Sequence, residues 1–248
     1  MKKPFFVFVT LLVWMCSAAV QAAPDPDRRV QSILFSPGES STTIKGTLTG
    51  RAYVDYQLKA NAGQTLKVSM HPSNRSNYFN ILPPDSKDDA MFIDGAGDSI
   101  FESLLPDDGI YTVRVFLVRS AARRKEHSDF TLSIALTGQP LPPLSAKVDA
   151  LVPGTRFHAR ATIRCQPVYT QTRECEAFVI RRGFDGTATV ELRWDKMWRR
   201  RILFMKGEAF VSDVAKTLSS SKDNTGNYIV TFAGDKRFEI PEALIFGG

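Results

Sequence analysis

The residues of this 248-residue chain best suited to recognition chemistry are cationic. Arg119, Arg123, Arg124 and Lys125 follow a strand-like run and sit among the small residues Ser120, Ala121 and Ala122. A guanidinium keeps its charge, forks onto carboxylates and is less heavily hydrated than an ammonium, so a loop of this kind is a receptor for acidic groups. A second cluster joins Trp198 to Arg199, Arg200 and Arg201, with Trp194 close by. Aromatic rings beside arginines take nucleic acid, glycan or an anionic surface. Trp198, Arg199 and Arg201 are therefore candidates for binding an anionic surface. The competing reading is structural: Ile202 and Phe204 face a core, and Arg199 and Arg201 share a face with Leu203.

Catalytic patterns are missing from the sequence. His71, His127 and His158 stand apart from any Ser or Cys nucleophile motif, and there is no GxSxG, HExxH or P-loop. Cys165 and Cys175, with nine residues between them, favour one disulfide in an exported chain. No CxxC or HxxxH accompanies them to build a metal site. Asp85, Asp88, Asp89, Asp94 and Asp98 are rich in oxygen but lack EF-hand spacing, and read as a plain acidic loop. The expectation is a binding protein rather than an enzyme, with no cofactor and no metal.

The elements that must position these residues are short strands. Tyr111, Val113, Val115 and Leu117 alternate with Thr112, Arg114, Phe116 and Val118, so a well-packed strand delivers the cationic loop. Similar runs at Val30 to Phe35, Ser41 to Leu48, Tyr53 to Ala60, Thr65 to Met70, Tyr78 to Leu82, Met91 to Asp94 and Phe130 to Leu136 are punctuated by Gly and Pro. About eight strands without helical period predict a β-sandwich of jelly-roll type over residues 29–138. Gln139-Pro140-Leu141-Pro142-Pro143-Leu144 opens a Pro-rich linker over 139–146, read as a semi-rigid spacer holding two domains apart. Residues 147–248 read as a small, mostly antiparallel β domain pinned by Cys165–Cys175. The fold class is thus all-β.

Residues 1–22 read as a secretory signal: Lys2 and Lys3, an apolar run from Phe5 to Val13, then Val20-Gln21-Ala22 for cleavage. Cys16 is expected to leave with it. No later segment is apolar for long enough to span a membrane. The chain carries +6, or +4 once Lys2 and Lys3 are removed, and the charge is uneven. Residues 23–144 are near neutral at −1, while 145–248 carry +5. In an exported protein a basic module points to an anionic envelope component or an acidic partner rather than nucleic acid. The expected location is periplasmic or secreted.

The segments YVDYQLKANAGQTLKVSM, YFNILPP, LPDDGIYTVRVFLVRSAARR and DFTLSI, in order from about Phe35 to Ala135, resemble the periplasmic inhibitors of goose-type lysozyme. Gly109-Ile110-Tyr111, the strand after it, Arg119 and Ala122-Arg123 are the most specific part. A looser likeness extends to bacterial prepeptidase C-terminal domains, which are also sandwiches. The resemblance implies that Arg119 and Arg123 enter the lysozyme's substrate cleft, where carboxylates work beside an oxocarbenium-like transition state. A family aromatic aligns with Arg51, and Tyr53, two positions on, is its expected substitute. Arg119, Arg123 and Tyr53 are thus the expected lysozyme-binding residues. The alternative reading is a carbohydrate- or cell-envelope-binding two-module accessory protein with no inhibitory activity.

Overall fold

Alternation of apolar and polar side chains makes Gly109–Leu117 (β8) a central strand of the first half. Tyr111, Val113, Val115 and Leu117 are buried on one face, and Arg114 and Phe116 lie half-buried on the other. At about 1.5–3 kcal/mol for each buried apolar side chain, this row fixes the strand firmly. The computed structural model describes residues 25–86, 89–94, 100–167, 170–196, 198–213, 218–232 and 236–247. The signal expected at 1–22 with Cys16, the loop residues Asp88 and Asp98, and Gly248 lie outside the described residues.

β8 sits in a five-stranded sheet with β1 (Arg28–Ser32), β3 (Tyr53–Ala60), β5 (Asn77–Leu82) and β6 (Phe92–Ile93), in the order β1-β3-β8-β5-β6. A four-stranded sheet, β2-β9-β4-β7, is built from β2 (Ser41–Thr49), β4 (Thr65–Pro72), β7 (Ile100–Leu104) and β9 (His127–Thr137). One apolar cluster joins the inner faces of both sheets, including Leu58, Phe79, Val113, Leu66, Met70 and Leu132. This is the sandwich the sequence predicts, with one strand more. β7 is easily missed because Phe101 turns inward while its neighbour Ile100 is exposed, leaving little alternation to see.

The second half is a single eight-stranded sheet, β14-β13-β12-β11-β10-β17-β16-β15. Its strands are β10 (Ala159–Gln166), β11 (Glu174–Arg181), β12 (Ala188–Trp194), β13 (Trp198–Met205), β14 (Glu208–Ser212), β15 (Leu218–Lys222), β16 (Asn227–Phe232) and β17 (Lys236–Pro241). All hydrogen-bonded neighbours are antiparallel, and β14 comes back against β15, so the sheet curls into a nearly closed barrel. Val190, Leu192, Phe204, Val230 and Phe238 fill its interior. Glu242–Phe246 forms one helical turn, with Ile245 buried among the barrel residues.

Cys165 and Cys175 form the expected disulfide, with Cα atoms 5.8 Å apart, and tie β10 to β11. Both are buried in the barrel core. Closing so short a loop stabilises by roughly 2–3 kcal/mol on the chain-entropy model. Replacing both cysteines by serine should lower the denaturation free energy by about that much. Urea titration of the double variant checks this, and an unchanged midpoint would show that the bond contributes nothing.

The linker is not a spacer. The Leu141 N–H donates to the Ala62 carbonyl at 2.9 Å, and the Leu144 N–H donates to the Arg181 carbonyl at 2.8 Å. His158 Nδ1 accepts the Arg181 N–H at 3.0 Å, leaving Nε2–H to donate to the Leu144 carbonyl at 3.0 Å. A Cβ on Gly63 would meet Leu141 Cγ at 2.5 Å, so the glycine makes room for the linker as well as its own turn at φ 82°. The prolines stiffen a strap that both halves grip, because it runs along their junction instead of between separated bodies.

That junction is ionic. Asp107, fully buried in the turn before β8, receives Arg156 at 2.6 Å, Arg201 at 3.0 Å and Arg182 at 3.3 Å. Arg182 also reaches Asp108 at 3.0 Å and the Leu141 carbonyl at 2.5 Å. Thr189 donates to the Pro106 carbonyl at 2.6 Å while accepting from Arg182 Nε at 2.9 Å. Farther along, Arg199 pairs with Asp85 at 3.4 Å, and Arg200 pairs with Asp89. Much of the positive excess of the barrel is therefore neutralised by acidic loops of the sandwich.

A cationic cleft at the end of β8

β8 leaves the sheet at Leu117, where the Val118 N–H donates to the Ser76 carbonyl at 2.9 Å. The sequence predicts a loop here; the structure has a single helical turn, Arg119–Arg123 (α1). Ala121 is fully buried against the sandwich core and Ala122 packs at its margin, which anchors the turn from below. The i,i+4 spacing places Arg119 and Arg123 on one face. The turn ends in a Schellman motif: the Glu126 N–H reaches the Ala121 carbonyl at 3.2 Å and the Lys125 N–H reaches the Ala122 carbonyl at 3.1 Å. Lys125 occupies the left-handed position at φ 57°, where glycine is usual. Lys125→Gly should therefore stabilise the protein by about 1 kcal/mol, read as a raised thermal midpoint; a lowered midpoint would refute the assignment of strain to this residue.

Opposite α1 stands the turn between β2 and β3. Gly50, at φ 63°, donates its N–H to the Glu126 carbonyl at 2.9 Å, so the two loops are stitched together. Glu126 is held in turn by Asn74 Nδ2 at 2.9 Å and Arg124 Nε at 2.7 Å, and these bonds lower its carboxyl pKa, that to Asn74 most. Between the loops lies a cleft of about 680 Å³. Arg119 and Arg123 border one side and Arg51 and Tyr53 the other, with Arg114, Phe116 and Leu117 of β8 as the floor.

Tyr53 lies opposite Phe116 in the β3–β8 register, and the Arg114 guanidinium sits 5.0 Å from the Tyr53 ring centroid. Arg114 is neutralised by the fully buried Asp55, which it contacts at 2.7 Å and which also takes Arg28 at 2.8 Å. The Tyr53 hydroxyl donates to Asp25 at 2.8 Å. Burial first, and then this bond, raise the phenol pKa, while the same bond lowers that of the Asp25 carboxyl. Arg51, Arg119 and Arg123 are exposed and have no ion-pair or hydrogen-bond partner among the described residues. The cleft thus presents three uncompensated guanidinium groups around an aromatic floor, an arrangement suited to a carboxylate-bearing partner.

The structure brings Arg119, Arg123 and Tyr53 together around one cavity and adds Arg51, which stands where the resemblance wants an aromatic. Arg114 and Phe116 were visible only as the outward half of the alternating strand. Asp25 gave no signal at all, being polar and close to the expected cleavage point.

The second cluster is placed differently from the anionic-surface expectation. Arg201 is 1% exposed and is surrounded by Asp107, Glu191 at 3.1 Å and Asp213 at 3.5 Å. Arg199 is engaged by Asp85 at 3.4 Å and Glu191 at 3.3 Å. Arg201 is therefore closed off from an outer surface, while Arg199 is paired but stays half-buried. Trp198 stays 41% exposed but stacks on the buried Trp194, with centroids 6.3 Å apart. The acidic loop likewise serves the junction: Asp85 and Asp89 pair with arginines of the barrel. Burial pushes Asp213 up to about 6 against the opposing pull of Arg201.

No family model matches the chain, and no curated protein matches its sequence. Solved structures do. The periplasmic inhibitor of g-type lysozyme from Aeromonas hydrophila is 28% identical, with 44% of this chain and 97% of that one covered at a TM-score of 0.41. The corresponding inhibitor from Salmonella Typhimurium is 24% identical over 44% of this chain and 98% of that one, with a TM-score of 0.35. The pre-peptidase C-terminal domain of a Bacillus anthracis collagenase is 14% identical, covering 47% and 100%, with a TM-score of 0.32. Among the described residues no helix is long and apolar enough to cross a membrane.

Proposed function

We propose that this chain is a periplasmic or secreted inhibitor of goose-type lysozyme that acts through the cleft at the end of β8. The observation carrying this reading is that Arg119 and Arg123 share one face of an anchored helical turn, exposed and without partners among the described residues, beside Tyr53. Two guanidinium groups fixed in this way are presented to the carboxylates of an enzyme's substrate cleft before binding, so little ordering remains to be done at contact. The ordered sequence likeness from Phe35 to Ala135 supports the choice of enzyme. Tyr53 acts as the flanking aromatic contact, and Arg51 adds a third positive group in place of the family's ring.

The test is inhibition of peptidoglycan lysis by a goose-type lysozyme, using the full mature chain. Inhibition at or below micromolar protein, weakening as salt is raised, is the expected result. Full lysozyme activity at micromolar protein overturns the proposal. The cleft is favoured over the barrel as the recognition surface, because Arg201 of the barrel is buried and paired while Arg119 and Arg123 are exposed.

A further inference from the structure

We infer that the same cleft is a receptor for a small acidic sugar, a pyranose ring carrying a carboxylate. Three features of the cavity act together. Arg51, Arg119 and Arg123 bring three guanidinium groups with no partner among the described residues to its rim. Tyr53 and Phe116 supply rings, and Phe116 is braced edge-on by Tyr78, 6.5 Å between centroids. The volume of about 680 Å³ leaves room for a sugar ring.

Charge and shape select between ligand classes. A simple anion such as phosphate would satisfy the guanidinium groups and leave the aromatic floor wet. A neutral sugar would cover the rings and leave three positive charges without a counter-charge. A carboxylated ring brings both one counter-charge, forked by an arginine, and an apolar face to lay on the aromatic side chains. Asp25, which is not among the residues lining the cleft, accepts the Tyr53 hydroxyl at 2.8 Å, so Tyr53 offers a ligand its ring and not its hydroxyl.

Binding needs no lysozyme, so it is measured on the full chain alone. Isothermal titration compares N-acetylmuramic acid with N-acetylglucosamine, acetate and inorganic phosphate. The acidic sugar is expected to bind at least about tenfold tighter than the neutral sugar, which lacks the charge-assisted contact, and than either simple anion, which lacks the ring contact. Arg51→Ala should weaken it by about tenfold with the thermal midpoint unchanged, since Arg51 is exposed. Equal affinity for phosphate would reduce the site to a general anion patch and overturn the inference. Equal affinity for the neutral sugar, an unaffected Arg51→Ala variant, or no binding would overturn it as well. Sugar binding without lysozyme inhibition would remove the proposed function and leave this inference standing; inhibition without sugar binding would do the reverse.

Discussion

Asp107→Asn should lower the unfolding free energy by about 3–5 kcal/mol, the cost of leaving buried charge uncompensated. Asp107 is the shared counter-ion of Arg156, Arg182 and Arg201, and the side chains of Arg182 and Arg201 are 0% and 2% exposed. An amide keeps the shape and removes the charge, so the guanidinium groups remain buried with too little to hold. Asp108→Ala should cost less, because the Asp108 side chain is 24% exposed and Arg182 keeps Asp107. Urea unfolding followed by Trp194 and Trp198 fluorescence reports the barrel, while tyrosine fluorescence is weighted to the sandwich. Wild-type protein should unfold in one step, and the variant should show the barrel and sandwich separating. A loss below about 1 kcal/mol, with one transition retained, would mean that the junction is held by something other than this carboxylate.

The second large effect falls at the other end of β8. Arg119→Ala with Arg123→Ala should raise the concentration needed for half-inhibition of a goose-type lysozyme by at least about 100-fold. Central arginines in interfaces are commonly worth about 2 kcal/mol or more each, and 1.4 kcal/mol is tenfold. The pair is treated as non-additive, which is why the expected loss is set at two decades rather than three. Stability should not change, since both side chains are exposed and neither has a bonding partner among the described residues. Arginine to lysine at both positions should recover little, because the ammonium loses the planar fork. Equal inhibition by wild type and the alanine double variant would show that these residues do not make the contact.

Local order was legible in the sequence where period and punctuation agreed. The alternation from Tyr111 to Leu117 and the cysteine pair both predicted what the structure contains. Three features were not legible, each for a physical reason. The turn Arg119–Arg123 is too short to show a helical period, so it read as a loop. The pairing of Arg199, Arg200 and Arg201 with Asp85, Asp89 and Asp107 spans roughly a hundred residues, and charge runs carry no sign of their distant counter-charges. The prolines after Gly138 fix the backbone but not its surroundings, so an extended strap gripped on both sides looked the same as a free spacer. The candidate site was legible in its arginines because their spacing is local, and only half legible in its floor, where Arg114 and Phe116 depend on the sheet.

β8 carries opposite tasks at its two ends. Its entry turn is capped by the barrel through Asp107, and its exit opens into the cleft, with nine residues or about 30 Å of strand between them. Attachment through the barrel therefore leaves the cleft facing outward. A molecule immobilised or fused at its C-terminal half would hold the arginines toward the medium like a probe on a handle, and a partner gripping the barrel would not shade them.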